Sequence, residues 1–357
     1  MARATTARIH IDALRHNLAR IRAAAPHAKV MAVVKADGYG HGLERVAQAL
    51  AGADAFGVAA LSDAQRLRAA GFSQTIVLLS GFDEAADLAQ LRQLSVATVV
   101  HHPFQLELLA ADHGSPISVW LKMDSGMHRL GFPPESFAGT YRRLQSMPNV
   151  AADIVCMSHF ASSDEPENPQ TPDQLRCFDA HLPEGASVCS LSNSAAVLAW
   201  PAAHRQWLRA GGALYGLSVA SGKTGADFGL KPAMTLSTRL ISIQQVCAGE
   251  RVGYAGSYLC PEDMPIGVAA IGYGDGYPRN IRPGTPALLN GRRVPIIGRV
   301  SMDLMTVDLR SQPQAAVGDE LTLWGEGLPV EEIAEAAGTI SYELTCSITR
   351  RVRFQED

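Results

Sequence analysis

No segment of this sequence holds 18 consecutive uncharged apolar residues, and its amino terminus lacks the continuous apolar stretch of a secretory signal. We therefore expect neither secretion nor a membrane partner, and we predict a cytoplasmic protein. Basic runs are absent too. The 31 Lys and Arg against 35 Asp and Glu give a formal net charge of −4, which argues against nucleic acid as a main partner.

Paired cysteines are also missing. The six cysteines are scattered without a Cys-x-x-Cys pair, which fits reduced thiols better than a disulfide framework. Cys156 and His159 have the spacing of half a zinc site, but no second half follows, so we predict no metal.

The sequence does contain ample core material. Of its 357 residues, 47% are hydrophobic and 18% are charged, which is typical of two globular domains or of one barrel with an appendage. Up to about residue 217, short apolar runs alternate with amphipathic segments at the spacing of repeated βα units. The predicted strands are 30–34, 55–59, 75–79, 96–100, 117–121, 152–157, 187–191 and a last one near 208–214.

Eight such parallel strands predict an α/β fold with a closed (β/α)8 barrel. An open doubly wound sheet is the alternative, although no Gly-x-Gly-x-x-Gly follows the first strand. Residues 218–231 are rich in Gly, Ser and small residues, as in a linker. Beyond Pro232, alternating patterns broken by Gly and Pro indicate mostly β structure. We predict a barrel domain over residues 1–225 and a β domain over residues 226–357.

One lysine stands out directly after the first predicted strand. The stretch VVKADGYGHG places Lys35 at the end of an apolar run, followed at once by glycines, a tyrosine and a histidine. In barrel folds that end of a strand is where catalytic groups lie. An amine held partly out of water loses proton affinity and can form a Schiff base. A solvated lysine that ends a strand is the alternative interpretation.

Seven further motifs follow Lys35 along the chain. They are KMDSGMHRLG from Lys122, SNSAA from Ser192, RAGGALYGL from Arg209, VGYAGSY from Val252, IGYGDGYPR from Ile271, GRVSMD from Gly298 and ISYELTC from Ile340. Together with VVKADGYGHG, and in this order, they resemble the alanine racemases. The resemblance spans essentially the whole chain. It implies an isomerase that interconverts L- and D-alanine and uses pyridoxal 5'-phosphate.

The resemblance also implies catalytic roles. Lys35 would carry the cofactor as an imine and act as one acid/base. Tyr254 would act as the opposing acid/base on the other face of the substrate. A phenol is a poor base near its ordinary pKa of about 10, so neighbouring positive charge must favour the phenolate. Arg209 would hydrogen-bond the pyridine nitrogen and keep it unprotonated, because an arginine stays protonated.

Further residues would hold the cofactor and the substrate. His159 would lie behind Arg209, although a core histidine is an equal alternative for it. The phosphate would be held by Tyr39, Ser194, Tyr342 and the backbone of Gly211 and Gly212. Arg129 would reach the substrate carboxylate, and Met302, Asp303 and Tyr273 would line the pocket from the β domain. In many relatives the lysine matching Lys122 is carbamylated; the sequence leaves this open here.

The resemblance further implies a homodimer in which each β domain completes the partner's active site. Its physiological role would be supply of D-alanine for peptidoglycan or degradation of alanine. Three rivals remain at the level of sequence: a racemase of broader substrate range, a pyridoxal phosphate decarboxylase with a similar barrel, and a barrel that merely binds the cofactor. Arg209 in place of an acidic residue speaks against decarboxylation, and small cofactor-binding barrels lack a β domain.

Overall fold

The computed structural model describes residues 5–357. The described chain begins with strand β1 (Thr6–Ile9) and helix α1 (Ile11–Ala24). Eight strands then form one parallel sheet: β2 (Lys29–Val33), β3 (Ala55–Val58), β4 (Thr75–Leu78), β5 (Val96–Val100), β6 (Val119–Lys122), β7 (Val155–Met157), β8 (Cys189–Ser190) and β9 (Trp207–Ala210). The helices among them are α2 (Lys35–Tyr39), α3 (Leu43–Ala49), α4 (Leu61–Ala69), α5 (Ala85–Gln93), α6 (Pro103–Ala111), α7 (Pro134–Gln145), α8 (Gln170–Ala180) and α9 (Ser194–Ala199).

The order of this sheet is β8-β7-β6-β5-β4-β3-β2-β9, and all of its ladders are parallel. Six consecutive strands contribute to one buried cluster, as the filling of a barrel interior requires: Met31, Ala55, Val77, Ala97, Val99, Trp120, Val155 and Met157. The prediction of a parallel eight-stranded barrel is confirmed, and the open doubly wound sheet is excluded.

The two end strands of the sheet meet through individual hydrogen bonds. The amide of Arg209 in β9 donates to the carbonyl of Ser192 (3.0 Å). In the other direction, Ser190 Oγ in β8 donates to the Trp207 carbonyl (3.0 Å), and the amide of Cys189 donates to Gln206 Oε1 (2.9 Å). These bonds close the barrel where no regular ladder does.

Several strands are shorter than the sequence predicts. Strand β6 begins at Val119, because Ile117 makes only an isolated parallel bridge with Val150. Strand β9 ends at Ala210, because the chain turns at once into a 3-10 turn, Gly212–Tyr215. The barrel strands are therefore short, and their carboxyl ends lead directly into loops that carry the candidate site.

The second unit is mostly β, as predicted. Its strands are β10 (Met234–Val246), β11 (Arg251–Val252), β12 (Tyr258–Leu259), β13 (Met264–Ala269), β14 (Pro286–Leu289), β15 (Arg292–Ile297), β16 (Met305–Asp308), β17 (Glu320–Trp324) and β18 (Arg353–Glu356), with helices α10 (Val330–Ala337) and α11 (Ser341–Cys346). The main sheet runs β13-β16-β15-β14-β17-β10-β1-β18, and β13 also pairs with β10, which closes six strands into a ring.

Strand β1 belongs to this second unit. It pairs antiparallel with β10 and parallel with β18, and the described residues up to Leu14 group with the β unit while residues from Arg15 to Leu214 form the barrel unit. The sequence-based boundary near residue 225 placed this strand with the barrel. A strand of four residues carries no signal of a partner more than two hundred residues away.

Among the described residues, no helix has the length and apolar content needed to cross a membrane.

Candidate active site

Lys35 lies two residues beyond β2, at the carboxyl end of the barrel strands, and its side chain is exposed. It begins α2, which is a left-handed turn. Ala36 (φ 53°, ψ 51°), Asp37 (φ 53°, ψ 47°) and Gly38 (φ 63°, ψ 45°) are left-handed, and Tyr39 follows with φ 53°. This conformation costs about 1–2 kcal/mol for each residue that has a Cβ. Such strain is typical of functional sites, where the surrounding structure holds it.

Arg209 projects from β9 and is almost fully buried. Its Nη1 donates to the carbonyl (2.8 Å) and Oγ (2.7 Å) of Ser190, and its Nη2 donates to the carbonyls of Ser158 (2.6 Å) and Leu191 (3.1 Å). Burial lowers the pKa of Arg209 to about 10, so the guanidinium stays charged at neutral pH. Within residues 5–357 no hydrogen bond to its Nε occurs, so one N–H direction remains for a ligand.

His159 lies beside this arginine, as the sequence suggested. Its Nδ1 is 3.3 Å from Arg209 Nη2. Burial, and then the positive charges of Arg209, Lys122, Arg129 and Lys35, hold the pKa of His159 well below its ordinary value. A neutral imidazole accepts a hydrogen bond at Nδ1, so His159 supports the guanidinium without adding a charge.

Lys122 ends β6 and is buried. Burial, together with the positive charges of Arg209, Arg129 and Lys35, lowers its pKa to about 8 against the opposing effect of Asp124. Its ammonium forms no hydrogen bond or ion pair with any residue of the described chain. A buried amine with this pKa is partly neutral near pH 8 and is therefore a competent nucleophile.

Arg129 is exposed in the loop that follows Lys122. Asp124 shapes this loop, because its Oδ1 accepts the backbone N–H groups of Gly126, Met127 and His128, each at 3.0 Å. Phe132 returns the chain by donating its amide to the Lys122 carbonyl (2.9 Å). The loop therefore brings Arg129 back over the end of β6.

Tyr39, Ser194 and Gly211 meet at one point of the barrel mouth. Ser194 Oγ accepts the amides of Gly211 (2.8 Å) and Ala213 (3.2 Å). A Cβ added to Gly211 would lie 2.5 Å from the Tyr39 hydroxyl, so only glycine permits this approach. Gly212, also buried, begins the 3-10 turn that follows. A hydroxyl, a phenol and backbone amides around a glycine are suited to a phosphate.

The remaining predicted residues lie in the β unit. Tyr254 is 68% exposed and starts a 3-10 turn after β11, whereas Tyr342 is half-buried in α11. Tyr273 and Met302 share one edge of this unit, because the amide of Tyr273 donates to the Ser301 carbonyl (3.0 Å) and that of Gly274 donates to the Met302 carbonyl (2.9 Å).

Arg351 is a supporting residue that sequence reasoning missed. Its Nη2 pairs with Asp303, and its Nε lies 3.4 Å from Oδ1 of the fully buried Asp275. It thereby ties the Tyr273 segment to the Met302–Asp303 segment. The sequence offered only a short basic cluster at residues 350–353, and nothing in that cluster indicated carboxylate partners so far along the chain.

Cations dominate the site of the barrel unit: Lys35, Lys122, Arg129 and Arg209 all act on His159. A barrel mouth with an accessible lysine, a buried arginine and a corner of hydroxyl groups and backbone amides is typical of an enzyme that binds an anionic ligand.

The comparisons with known proteins agree. Residues 9–219 match the family model of the alanine racemase N-terminal domain, and residues 233–355 match that of the C-terminal domain. The alanine racemase of Shewanella woodyi is 51% identical over 347 residues, which is 97% of each chain. That of Nitrosococcus oceani is 52% identical over 345 residues, covering 96% of this chain and 97% of the relative.

Solved structures give the same result. The biosynthetic alanine racemase of Pseudomonas aeruginosa superposes with a TM-score of 0.97 at 45% identity, over 99% of both chains. The alanine racemase of Acinetobacter baumannii superposes with a TM-score of 0.93 at 35% identity, over 99% of this chain and 100% of that one. The chain belongs to the alanine racemase family, whose members are isomerases that act on amino acids.

Proposed function

We propose that this enzyme interconverts L-alanine and D-alanine with pyridoxal 5'-phosphate held at the barrel mouth. The observation that carries the proposal is the group of four cations, Lys35, Lys122, Arg129 and Arg209, around a neutral His159. Such a site is suited to a cofactor phosphate and a substrate carboxylate. Alanine, after which the full-length relatives are named, carries such a carboxylate.

The residues present fit the cofactor. Lys35 would attach it covalently, and Tyr39, Ser194, Gly211 and Gly212 would surround its phosphate, with Tyr342 contributed by the β unit. When bound, pyridoxal phosphate supplies the electron sink that a deprotonated α-carbon needs. The phosphate corner supports this fit, because the lack of a Cβ at Gly211 lets the Tyr39 hydroxyl lie close to the backbone there.

Racemisation needs proton removal on one face of the substrate and delivery on the other. Lys35 Nζ would exchange the proton on one face, and Tyr254 Oη on the opposite face. Tyr254 is 68% exposed within its own unit, as a residue that acts on a partner's substrate must be. We propose a homodimer in which Tyr254, Tyr273, Met302 and Asp303 complete the site of the partner subunit.

Arg209 favours racemisation over the alternative chemistries of this cofactor. Its Nε would donate to the ring nitrogen, while three carbonyls and His159 hold the rest of the guanidinium. An arginine keeps its proton, so Arg209 would donate a hydrogen bond to the ring nitrogen without protonating it. With the ring nitrogen left unprotonated, bound pyridoxal phosphate would supply a weaker electron sink, which would disfavour transamination and decarboxylation.

Lys122 is proposed to carry a carbamate. Its neutral amine would attack carbon dioxide, forming an N–C bond and releasing one proton to solvent. The resulting anion would pair with Arg129 and orient it toward the substrate carboxylate. The pKa of about 8 and the absence of an anionic partner within the described residues support this step.

We place the enzyme in the cytoplasm, where the D-alanine it makes would serve cell-wall synthesis. Degradation of alanine is the alternative physiological role, and both use the same reversible reaction.

Replacement of Lys35 tests the proposed function. Lys35→Ala should abolish racemisation and the visible absorbance of covalently held cofactor together, because one amine serves both purposes. The measurements are loss of optical rotation of L-alanine and an absorbance spectrum. Lys29→Ala, which removes an exposed lysine from the start of β2, is the matched control. Retention of both signals in Lys35→Ala would refute the assignment.

A further inference from the structure

The left-handed turn that follows Lys35 needs a restraint. Ala36, Asp37 and Tyr39 have left-handed φ although each carries a Cβ. Because left-handed backbone is unfavourable for residues with a Cβ, the turn alone would relax toward ordinary conformations. A relaxed turn would rotate the backbone that carries Lys35. The orientation of the Lys35 amine therefore depends on whatever holds this turn.

Part of the restraint comes from the main chain. The amide of Gly38 donates to the Val34 carbonyl (2.9 Å), and the amide of Gly42 donates to the Asp37 carbonyl (2.8 Å). The rest comes from the Asp37 side chain. Its Oδ1 accepts the amide of Leu43 (3.1 Å), which joins the turn to the first residue of α3.

The same oxygen accepts a second contact, from a different helix. Arg66 of α4 donates through Nη2 to Asp37 Oδ1 (2.8 Å). Its guanidinium also binds Glu44 of α3 with both arms, Nε to Oε1 (2.8 Å) and Nη2 to Oε2 (2.7 Å). A planar guanidinium with two-armed geometry restricts orientation more than a single ion pair does.

Exposed ion pairs usually contribute little to global stability. Arg66, Asp37 and Glu44 are 43%, 55% and 45% exposed at their side chains, so we expect no large change in unfolding temperature on their removal. The relevant equilibrium is local. Arg66 connects α4 and α3 to Asp37, two residues after Lys35. A small change in the free energy of this turn therefore changes the fraction of molecules in which the Lys35 amine is correctly oriented.

We propose that Arg66 is a positioning residue that holds the left-handed turn, and through it Lys35, in the orientation needed for proton transfer. The catalytic part of this inference rests on the proposed racemase function. Its structural part, restraint of residues 36–42, does not.

The test compares Arg66→Met with Arg66→Lys in the purified holoenzyme. Arg66→Met should speed amide hydrogen exchange in residues 36–42 by about threefold to tenfold, the range that the loss of one or two exposed ion pairs allows. It should lower kcat for alanine by a similar factor with KM nearly unchanged, because orientation affects the transition state more than substrate binding. Arg66→Lys retains the charge and should recover part of both.

The matched control is Arg143→Met. Arg143 is 42% exposed and pairs with Glu107 (3.0 Å) elsewhere on the same barrel, so it reports the general effect of losing a surface ion pair. Exchange and kcat should stay at their wild-type values in Arg143→Met. Wild-type exchange in Arg66→Met, or a kcat loss equal in both variants, overturns the proposal. If the wild-type protein does not racemise alanine, the proposed function fails, while the exchange measurement still decides the restraint.

Discussion

At the scale of the residue, Lys122 lies in an environment that lysines rarely occupy. It ends a buried strand with other cations nearby, and burial lowers its pKa to about 8 from an ordinary 10.5. A lysine so placed either stays partly neutral or acquires a negative charge by modification. The two states have different pH dependence, so they can be separated by experiment.

In carbon-dioxide-free buffer, we expect the thermal stability of the wild type relative to Lys122→Met to rise between pH 8 and about pH 10. Below pH 8 the amine is protonated in both the folded and the unfolded chain. Between the folded pKa of about 8 and the ordinary 10.5, the unfolded chain binds more protons, so the free energy of unfolding rises with pH. The measurement is the difference in unfolding temperature between the two proteins.

Added bicarbonate supplies the contrast. Carbamate formation releases a proton, and the unfolded chain reverts to the protonated amine, so with bicarbonate the free energy of unfolding of the wild type should already rise with pH below pH 8. Lys29→Met, at an exposed position, should show no corresponding change in slope. An equal slope with and without bicarbonate would argue against the carbamate.

Residues within a short sequence motif could be predicted, whereas residues that act through a tertiary contact could not. Lys35 and Arg209 could be proposed from sequence because each lies in a short motif at or near the end of a strand. Arg66 and Arg351 could not, because their carboxylate partners lie on other elements. Only the folded chain brings a helix arginine onto the turn after Lys35.

At the scale of the element, the turn that presents Tyr254 is strained. Ala255 has φ 57° and ψ 15°, and positive φ also occurs at Gly253 (75°), directly before Tyr254, and at Gly256 (53°), directly after Ala255. Of these positions, only Ala255 carries a Cβ in that conformation.

Ala255→Gly should therefore stabilise the protein. Relief of the left-handed strain contributes about 1–2 kcal/mol, and the greater freedom of glycine in the unfolded chain offsets about 0.4–1 kcal/mol of it. We expect a net gain of roughly 0.5–1 kcal/mol, measured as a higher unfolding temperature. Ala248→Gly, in an exposed turn of the same unit without positive φ, should instead destabilise. A loss of stability in Ala255→Gly would show that the turn is not strained.

Element boundaries show where sequence patterns stop being informative. The apolar runs gave all eight barrel strands in order, because buried parallel strands are continuously apolar. They overestimated β7 and β8, since residues beside a strand can be buried without joining its ladder. Two of the three described bonds that close the barrel use the side chains of Ser190 and Gln206, and hydropathy carries no signal for such bonds.

At the scale of the whole molecule, the β unit exposes several large apolar or aromatic side chains. They are Tyr254, Leu259, Tyr273, Met302, Leu304 and Ile340, each at least 40% exposed. Four of the six, Tyr254, Tyr273, Met302 and Ile340, lie in motifs that the resemblance assigned to the active site. Exposed apolar side chains in this number are typical of a surface that contacts another protein. A second copy of the chain is the occupant that the proposed composite site requires.

Mixing two inactive variants tests this assembly. Lys35→Ala and Tyr254→Phe chains, each inactive alone, are unfolded, combined in equal amounts and refolded. A mixed two-fold dimer then has one site with both wild-type groups and one with neither, because an isologous interface uses the same patch twice. Random pairing makes half of the dimers mixed, so about a quarter of wild-type activity should return. Sites built within single chains would each lack one group. Activity no greater than that of the separate variants, with mixed dimers confirmed by native mass spectrometry, would exclude the composite site and leave Tyr254 without a catalytic role across subunits.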